Sequence, residues 1–304
     1  MISRDDVLRA RETIGDRLER TPTIRSTALG ARLKCELFQK TGSFKSRGAL
    51  AKLSSLTPEE KARGVITISA GNHAQAVAYA AAEEGVDALV VMWRGASEQK
   101  IEATRGYGAT VDLEATSGSQ AFERLAELLA GGERVLVHPH EDPVVLAGAG
   151  TVGLEIEEDA PDADAVIVAV GGGGLVTGIA AAIGHRTRVI AVEPELSQAL
   201  HAGIEAGAQT VVDARSIADG LNTPIAGRLP IELCRDLERL LVTEDEIEDA
   251  FRFLYARTKL AVEPAAAVAV AAWRSGRIDA EKPVCVVSGG NVAASTASAI
   301  LAER

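Results

Sequence analysis

Lys45, in the stretch TGSFKSRGAL (41–50), stands where a helix should begin. A cation is disfavoured there, because the backbone dipole makes a helix N-terminus positive. Such a lysine either faces solvent or exploits its position, since positive surroundings and desolvation both ease loss of the ammonium proton. The neutral amine that results is a nucleophile and a base. Three other stretches set small residues directly after an apolar run. AGNHAQ (70–75) follows VITIS (65–69), GGGGL (171–175) follows AVIVAV (165–170), and GGNVAAS (289–295) follows PVCVVS (283–288). Four glycines let backbone N–H groups crowd round an anion at a helix N-terminus, which points to a phosphate. A plain turn needs fewer, and each glycine costs backbone entropy. The tract lacks the GK[ST] ending of a nucleotide P-loop. Asn72 and His73 read either as a helix cap or as groups offered to a ligand, and Ser288 closes its strand with a hydroxyl at the sheet edge.

The elements that must position these loops are legible as an alternation of strands and helices. Short β-branched runs lie at 65–69, 87–92, 110–114, 134–138, 165–170, 188–193, 239–243 and 283–288, with helically spaced segments between them. That order implies an α/β protein with parallel sheets covered by helices, in which ligands bind at the carboxyl ends of strands. The dense block from 65 to about 140 suggests a smaller domain inserted in a larger one. GAGTVG (148–153) matches the dinucleotide pattern G-x-G-x-x-G literally and would indicate a nicotinamide dehydrogenase. Pro143 leaves it almost no strand, however, and Asp142–Pro143 looks like a cap and first turn. Val145, Ala149, Val152 and Ile156 then recur at helical spacing, so the glycines imply close helix packing.

The chain has 304 residues, 47% hydrophobic and 25% charged, with a net charge of −11. So acidic a surface argues against nucleic acid or an anionic membrane as partner. The run 263–273 is apolar but too short to span a bilayer, and the N-terminus has no signal-like apolar region. Cys35, Cys234 and Cys285 lie in separate apolar runs and read as buried free thiols, which suggests a cytoplasmic protein.

Taken in order, TGSFKSRGA, SAGNHAQ, GGGGL and SGGN resemble a fold-type II pyridoxal-phosphate enzyme of the serine/threonine dehydratase and serine racemase group. The likeness runs on through HPHEDPVVLAGAGTVGLEI (138–156) and LVTEDEI (241–247), and is nearest to a short, catabolic-type dehydratase without a regulatory domain. It implies two open parallel-sheet domains like tryptophan synthase β: a large one from 1–66 plus 142–304, and a small mobile one from 67–141. It implies that Lys45 forms a Schiff base with the cofactor aldehyde and then acts as the base at Cα. Phe44 would pack by the pyridine ring, Asn72 would bond the phenolic oxygen, and Ser288 would face the pyridine nitrogen. Gly171, Gly172, Gly173, Gly174 and Leu175 would give amides to the phosphate. Gly220, in IADGLNTP (217–224), would line the pocket, and Glu263 matches an acid near the ring. Ser69, Ala70, Gly71, Asn72 and His73 would receive the substrate carboxylate.

The activity implied is α,β-elimination from L-threonine, L-serine or a related 3-hydroxy amino acid, giving a 2-oxo acid and ammonia, with a homodimer as the expected assembly. A racemase needs a second acid/base opposite the lysine. Relatives that racemise have a serine directly before Gly-Asn-His, where this chain has Ala70, which carries no proton. Ser69 should point to the other face of its strand. No metal is expected: Glu193 and Ser197 match two ligands of a cation site, but Ala199 stands where the third, an acid, should be. The chain stops soon after SGGN, so no feedback domain is expected. The readings from other classes are the dehydrogenase built on GAGTVG and a cofactor-free binding protein.

Overall fold

The computed structural model describes residues 2–302. Ten strands form two sheets. They are β1 (Thr23–Ser26), β2 (Ala31–Cys35), β3 (Val65–Ile68), β4 (Ala88–Trp93), β5 (Thr110–Ala115), β6 (Val135–Leu136), β7 (Ala165–Ala169), β8 (Arg188–Pro194), β9 (Glu238–Val242) and β10 (Pro283–Val287). The larger sheet runs β1-β2-β10-β7-β8-β9, and the smaller runs β5-β4-β3-β6. Pairing is parallel throughout except between β1 and β2. All eight strands expected from the sequence are present. The β1–β2 hairpin at the edge of the larger sheet is additional. Because β3 is continuous from Val65, the smaller sheet starts ahead of the 66/67 division drawn from the sequence.

Central strands β7 and β10 are buried along their whole length, as strands covered by helices on both faces must be. Their carboxyl ends deliver Gly171 and Ser288, and the end of β3 delivers Ala70. The segment containing GAGTVG is helical, over Pro143–Asp159. Asp142 is its N-cap, accepting from the amides of Val144 and Val145, and Pro143 fills the first turn. Its glycines let two other helices touch it backbone to backbone. A Cβ at Gly148 would lie 2.6 Å from the Arg47 carbonyl oxygen, in helix Lys45–Ser54. One at Gly150 would lie 2.6 Å from that of Gly178, in helix Gly174–Ile183. The two helices that begin at Lys45 and at the glycine tract are thus held by one helix between them.

A buried ionic cluster supports the Lys45 helix. The Arg47 guanidinium donates to Glu36 (2.7 and 2.8 Å) and to Glu155 (2.7 and 2.9 Å), and Lys34 donates to Glu155 at 2.6 Å. Cys35, Cys234 and Cys285 are buried free thiols, as expected. Among the described residues, no helix is long and apolar enough to cross a membrane.

Candidate active site

Lys45 is the first residue of its helix, and Phe44, the N-cap, contributes no side-chain bond to it. The Lys45 ammonium lies 5.2 Å from the centre of the Phe44 ring and donates to the Pro139 carbonyl at 3.1 Å. Desolvation lowers its pKa to about 8, against the opposing pull of the Glu263 carboxylate. The next residue, His140, lies against the glycine tract: a Cβ on Gly172 would collide with its ring. Pro139 and His140 therefore join the lysine to the tract.

Gly173, at φ +95°, caps helix Gly174–Ile183. Among the described residues, no acceptor faces the amides of Gly171, Gly172, Gly173, Gly174 or Leu175. Orphaned donors at a helix N-terminus suit an anion. The tract must also stay free of side chains, since a Cβ at Gly173 would collide with Pro230.

The loop after β3 makes a second cluster of open donors. Helix Asn72–Glu84 starts from Gly71 without a side-chain cap, and the amides of Ala70, Asn72 and His73 have no acceptor among the described residues. The strand ends at Ile68, so strand alternation does not extend to Ser69. Its hydroxyl instead accepts the Gly71 amide at 3.1 Å. The Asn72 amide donates to both Glu263 oxygens (2.8 and 3.0 Å) and accepts from Asn291 at 2.9 Å. Burial pushes the Glu263 carboxyl up to about 7, with the Asn72 bond acting the other way. Gly220 packs on this group, its Cβ position 3.8 Å from Glu263 Oε1.

Ser288 joins the lysine loop directly, its carbonyl accepting the Phe44 amide at 3.1 Å. The residue is 4% exposed, and its hydroxyl has no protein partner among the described residues. An amine held largely desolvated, a row of open amides and an unpartnered hydroxyl on a buried residue fit a phosphorylated aldehyde with a ring nitrogen.

Glu193 and Ser197 do other work. Glu193 accepts the amides of Leu200 and His201, both at 2.8 Å, at the start of helix Ala199–Ala206, and burial pushes its pKa up to about 8. Ser197 donates to the Leu221 carbonyl at 2.9 Å, steadying the segment beside Gly171.

Sequence reasoning missed two contributors, His138 and His140. They stack edge-to-face with centroids 4.8 Å apart, and burial lowers both pKa values. Their closeness in sequence was the one available signal. His73 bonds the Val137 carbonyl, and desolvation, with Lys45 adding to it, lowers its pKa to about 3. Neutral imidazoles around Lys45 leave its amine and the Glu263 carboxyl as the site's titrating groups near neutral pH.

The family described as pyridoxal-phosphate dependent enzyme matches residues 14–297. The catabolic L-threonine dehydratase TdcB of Escherichia coli K12 is 41% identical over 312 residues, covering 97% of this chain and 95% of that protein. The solved structure of maize serine racemase superposes with a TM-score of 0.91 at 34% identity, covering 97% of this chain and 95% of the other. The solved structure of a T.th. threonine deaminase superposes at 0.89 with 36% identity, covering 96% and 99%.

Proposed function

This chain belongs to the pyridoxal-phosphate dependent enzyme family, and on that premise we propose that it is an ammonia-lyase acting on L-threonine, L-serine or a related 3-hydroxy amino acid. The net change is amino acid to 2-oxo acid plus ammonia, with water lost and regained. One observation carries the reading: the Lys45 amine, its pKa lowered by burial, bonds the carbonyl of Pro139, and the neighbouring His140 packs on the open glycine tract. The likeness to a catabolic L-threonine dehydratase over nearly the whole chain supports the substrate class.

When bound, pyridoxal phosphate supplies an aldehyde and an electron-withdrawing ring conjugated to the substrate Cα. The amides from Gly171 to Leu175 hold its phosphate, and Ser288 offers a neutral partner to the ring nitrogen. Asn72 donates to the phenolic oxygen from the side chain that Glu263 and Asn291 hold. Lys45 is the residue that would hold the aldehyde, and its free amine would take the Cα proton onto Nζ as general base. The amides of Ala70, Asn72 and His73 receive the substrate carboxylate. Opposite the lysine, Ala70 can neither give nor take a proton, which favours elimination over the racemisation carried out by the serine racemases. The smaller unit, 67–141 by sequence, closes the cleft over the substrate, and the working assembly is a homodimer.

The test is formation of 2-oxo acid by the purified protein with pyridoxal phosphate, across a panel of 3-hydroxy amino acids. Lys45→Ala should lose roughly 10²–10⁴-fold or more in rate and lack the wild type's visible absorption band. A protein that stays colourless with added cofactor overturns the reading. D-serine appearing from L-serine as fast as 2-oxo acid overturns the preference for elimination.

A further inference from the structure

We propose that Asn291 is a positioning residue that dictates which end of the Asn72 side chain meets the cofactor. The proposal rests on the reading of this cleft as a pyridoxal-phosphate site. Thr41 presents a backbone carbonyl, which can only accept. Asn291 Nδ2 donates to it at 2.7 Å, which fixes the Asn291 amide with its nitrogen toward Thr41. The same nitrogen donates its second hydrogen to Asn72 Oδ1 at 2.9 Å. Asn72 must then turn its own nitrogen the other way, where one hydrogen is shared by the two Glu263 oxygens at 2.8 and 3.0 Å. One N–H on Asn72 is left unspent, and that is the donor available to a ligand.

The orientation matters because an amide's oxygen and nitrogen are nearly the same size and opposite in role. Flipped, Asn72 would present a carbonyl oxygen to a phenolic oxygen, and two acceptors would face one another. Glu263 alone holds the amide weakly, since a carboxyl titrating at about 7 is a donor as well as an acceptor near neutral pH. The backbone anchor at Thr41 does not titrate. Asn291 also needs the space it occupies: Gly42 lies under it at φ +72°, and a Cβ there would sit 2.5 Å from Asn291 Oδ1. The Gly290 amide donates to the Gly42 carbonyl at 2.9 Å, closing the same junction. Asn291 thus joins the loops carrying Lys45, Ser288 and Asn72.

Asn291→Asp keeps the shape and removes both donors. With pyridoxal phosphate, the variant should bind cofactor but show a displaced visible absorption maximum. Its kcat should fall about tenfold or more, the size of one lost charge-assisted hydrogen bond, with KM changed far less. In the cofactor-free protein, hydrogen exchange over residues 69–76 should quicken relative to wild type, while the other helices are unchanged. Asn291→Ser, which keeps one donor, should recover part of the spectrum and the rate; it also carries the test if the aspartate variant does not fold. A wild type that takes up cofactor beside an Asn291→Asp protein of unchanged spectrum and kcat overturns the proposal, as does a change confined to melting temperature. If the wild type itself takes up no cofactor, the functional reading has failed, and this inference fails with it.

Discussion

Burial and charge oppose each other at Lys45. Taking the ammonium out of water lowers its pKa, the Glu263 carboxylate raises it, and burial prevails at about 8. The cofactor-free protein should therefore react with pyridoxal phosphate faster as pH rises, with half-maximal rate near pH 8 and a plateau above. A midpoint near the ordinary lysine value would mean a solvated amine. Glu263 makes a second prediction. Its folded pKa, about 7, is raised above the unfolded value of 4.5, so the folded state holds the proton more tightly. Stability from this group is greatest below pH 4.5 and is lost as pH rises towards and through 7. Glu263→Gln should remove that loss, gaining on wild type by up to about 3 kcal/mol across the window. Denaturant melts at pH 5 and 8 measure the difference, and equal gaps at both would refute it. Lys45, Asn72 and Ser288 could be singled out because each sits in a short motif, Lys45 at a helix start and the other two just past or at the end of a strand. Asn291 was not singled out, although it stands in SGGN, because its partners lie 250 and 219 residues away.

Among the elements, helix Pro143–Asp159 shows what the sequence can and cannot reveal. Proline and aspartate at its start, then apolar spacing, mark it as a helix despite the dinucleotide pattern. The partners its glycines admit, Gly48 and Gly178, could not be read from the sequence. Gly150→Ala should cost roughly 1–3 kcal/mol by overpacking, seen as a lower melting temperature, because the nearest contact is the Gly178 backbone carbonyl, which cannot turn aside as a side chain can. The hairpin β1–β2 escaped notice for a different reason. Lys34 reads as a surface residue, yet it is fully buried against Glu155. A strand whose inward residue is charged breaks the alternation that reveals strands. The cluster holding Lys34 also carries Arg47, two residues after Lys45. Arg47→Met should destabilise the protein by about 3–5 kcal/mol, since it strands the buried carboxylates of Glu36 and Glu155. A melt within about 1 kcal/mol of wild type, on the order of ordinary surface changes, would show the cluster to be energetically idle.

At the scale of the whole molecule, the two sheets share no strand pairing, and side chains link them across the cleft. The inner link is Asn72 with Glu263. The outer one is Lys100, on helix Glu98–Gly106 of the smaller sheet's unit, which donates to Asp219 at 2.5 Å, in the loop between β8 and β9 of the larger. Asp219 adjoins Gly220, which packs on Glu263, so this ion pair lies at the mouth of the site. Both side chains reach solvent, at 26% and 55% exposure, so the pair contributes about 0.2–1 kcal/mol and weakens with salt. That is too little to hold the fold and enough to bias the closing proposed for the smaller unit. Lys100→Ala should raise KM for the amino acid by about 1.5- to 5-fold, the same energy read as a population shift, and leave kcat nearly unchanged. The sharper signature is ionic strength. Wild-type KM should climb as salt is added, and the variant's should start high and climb less. Equal salt slopes in the two proteins would remove the ion pair from closure.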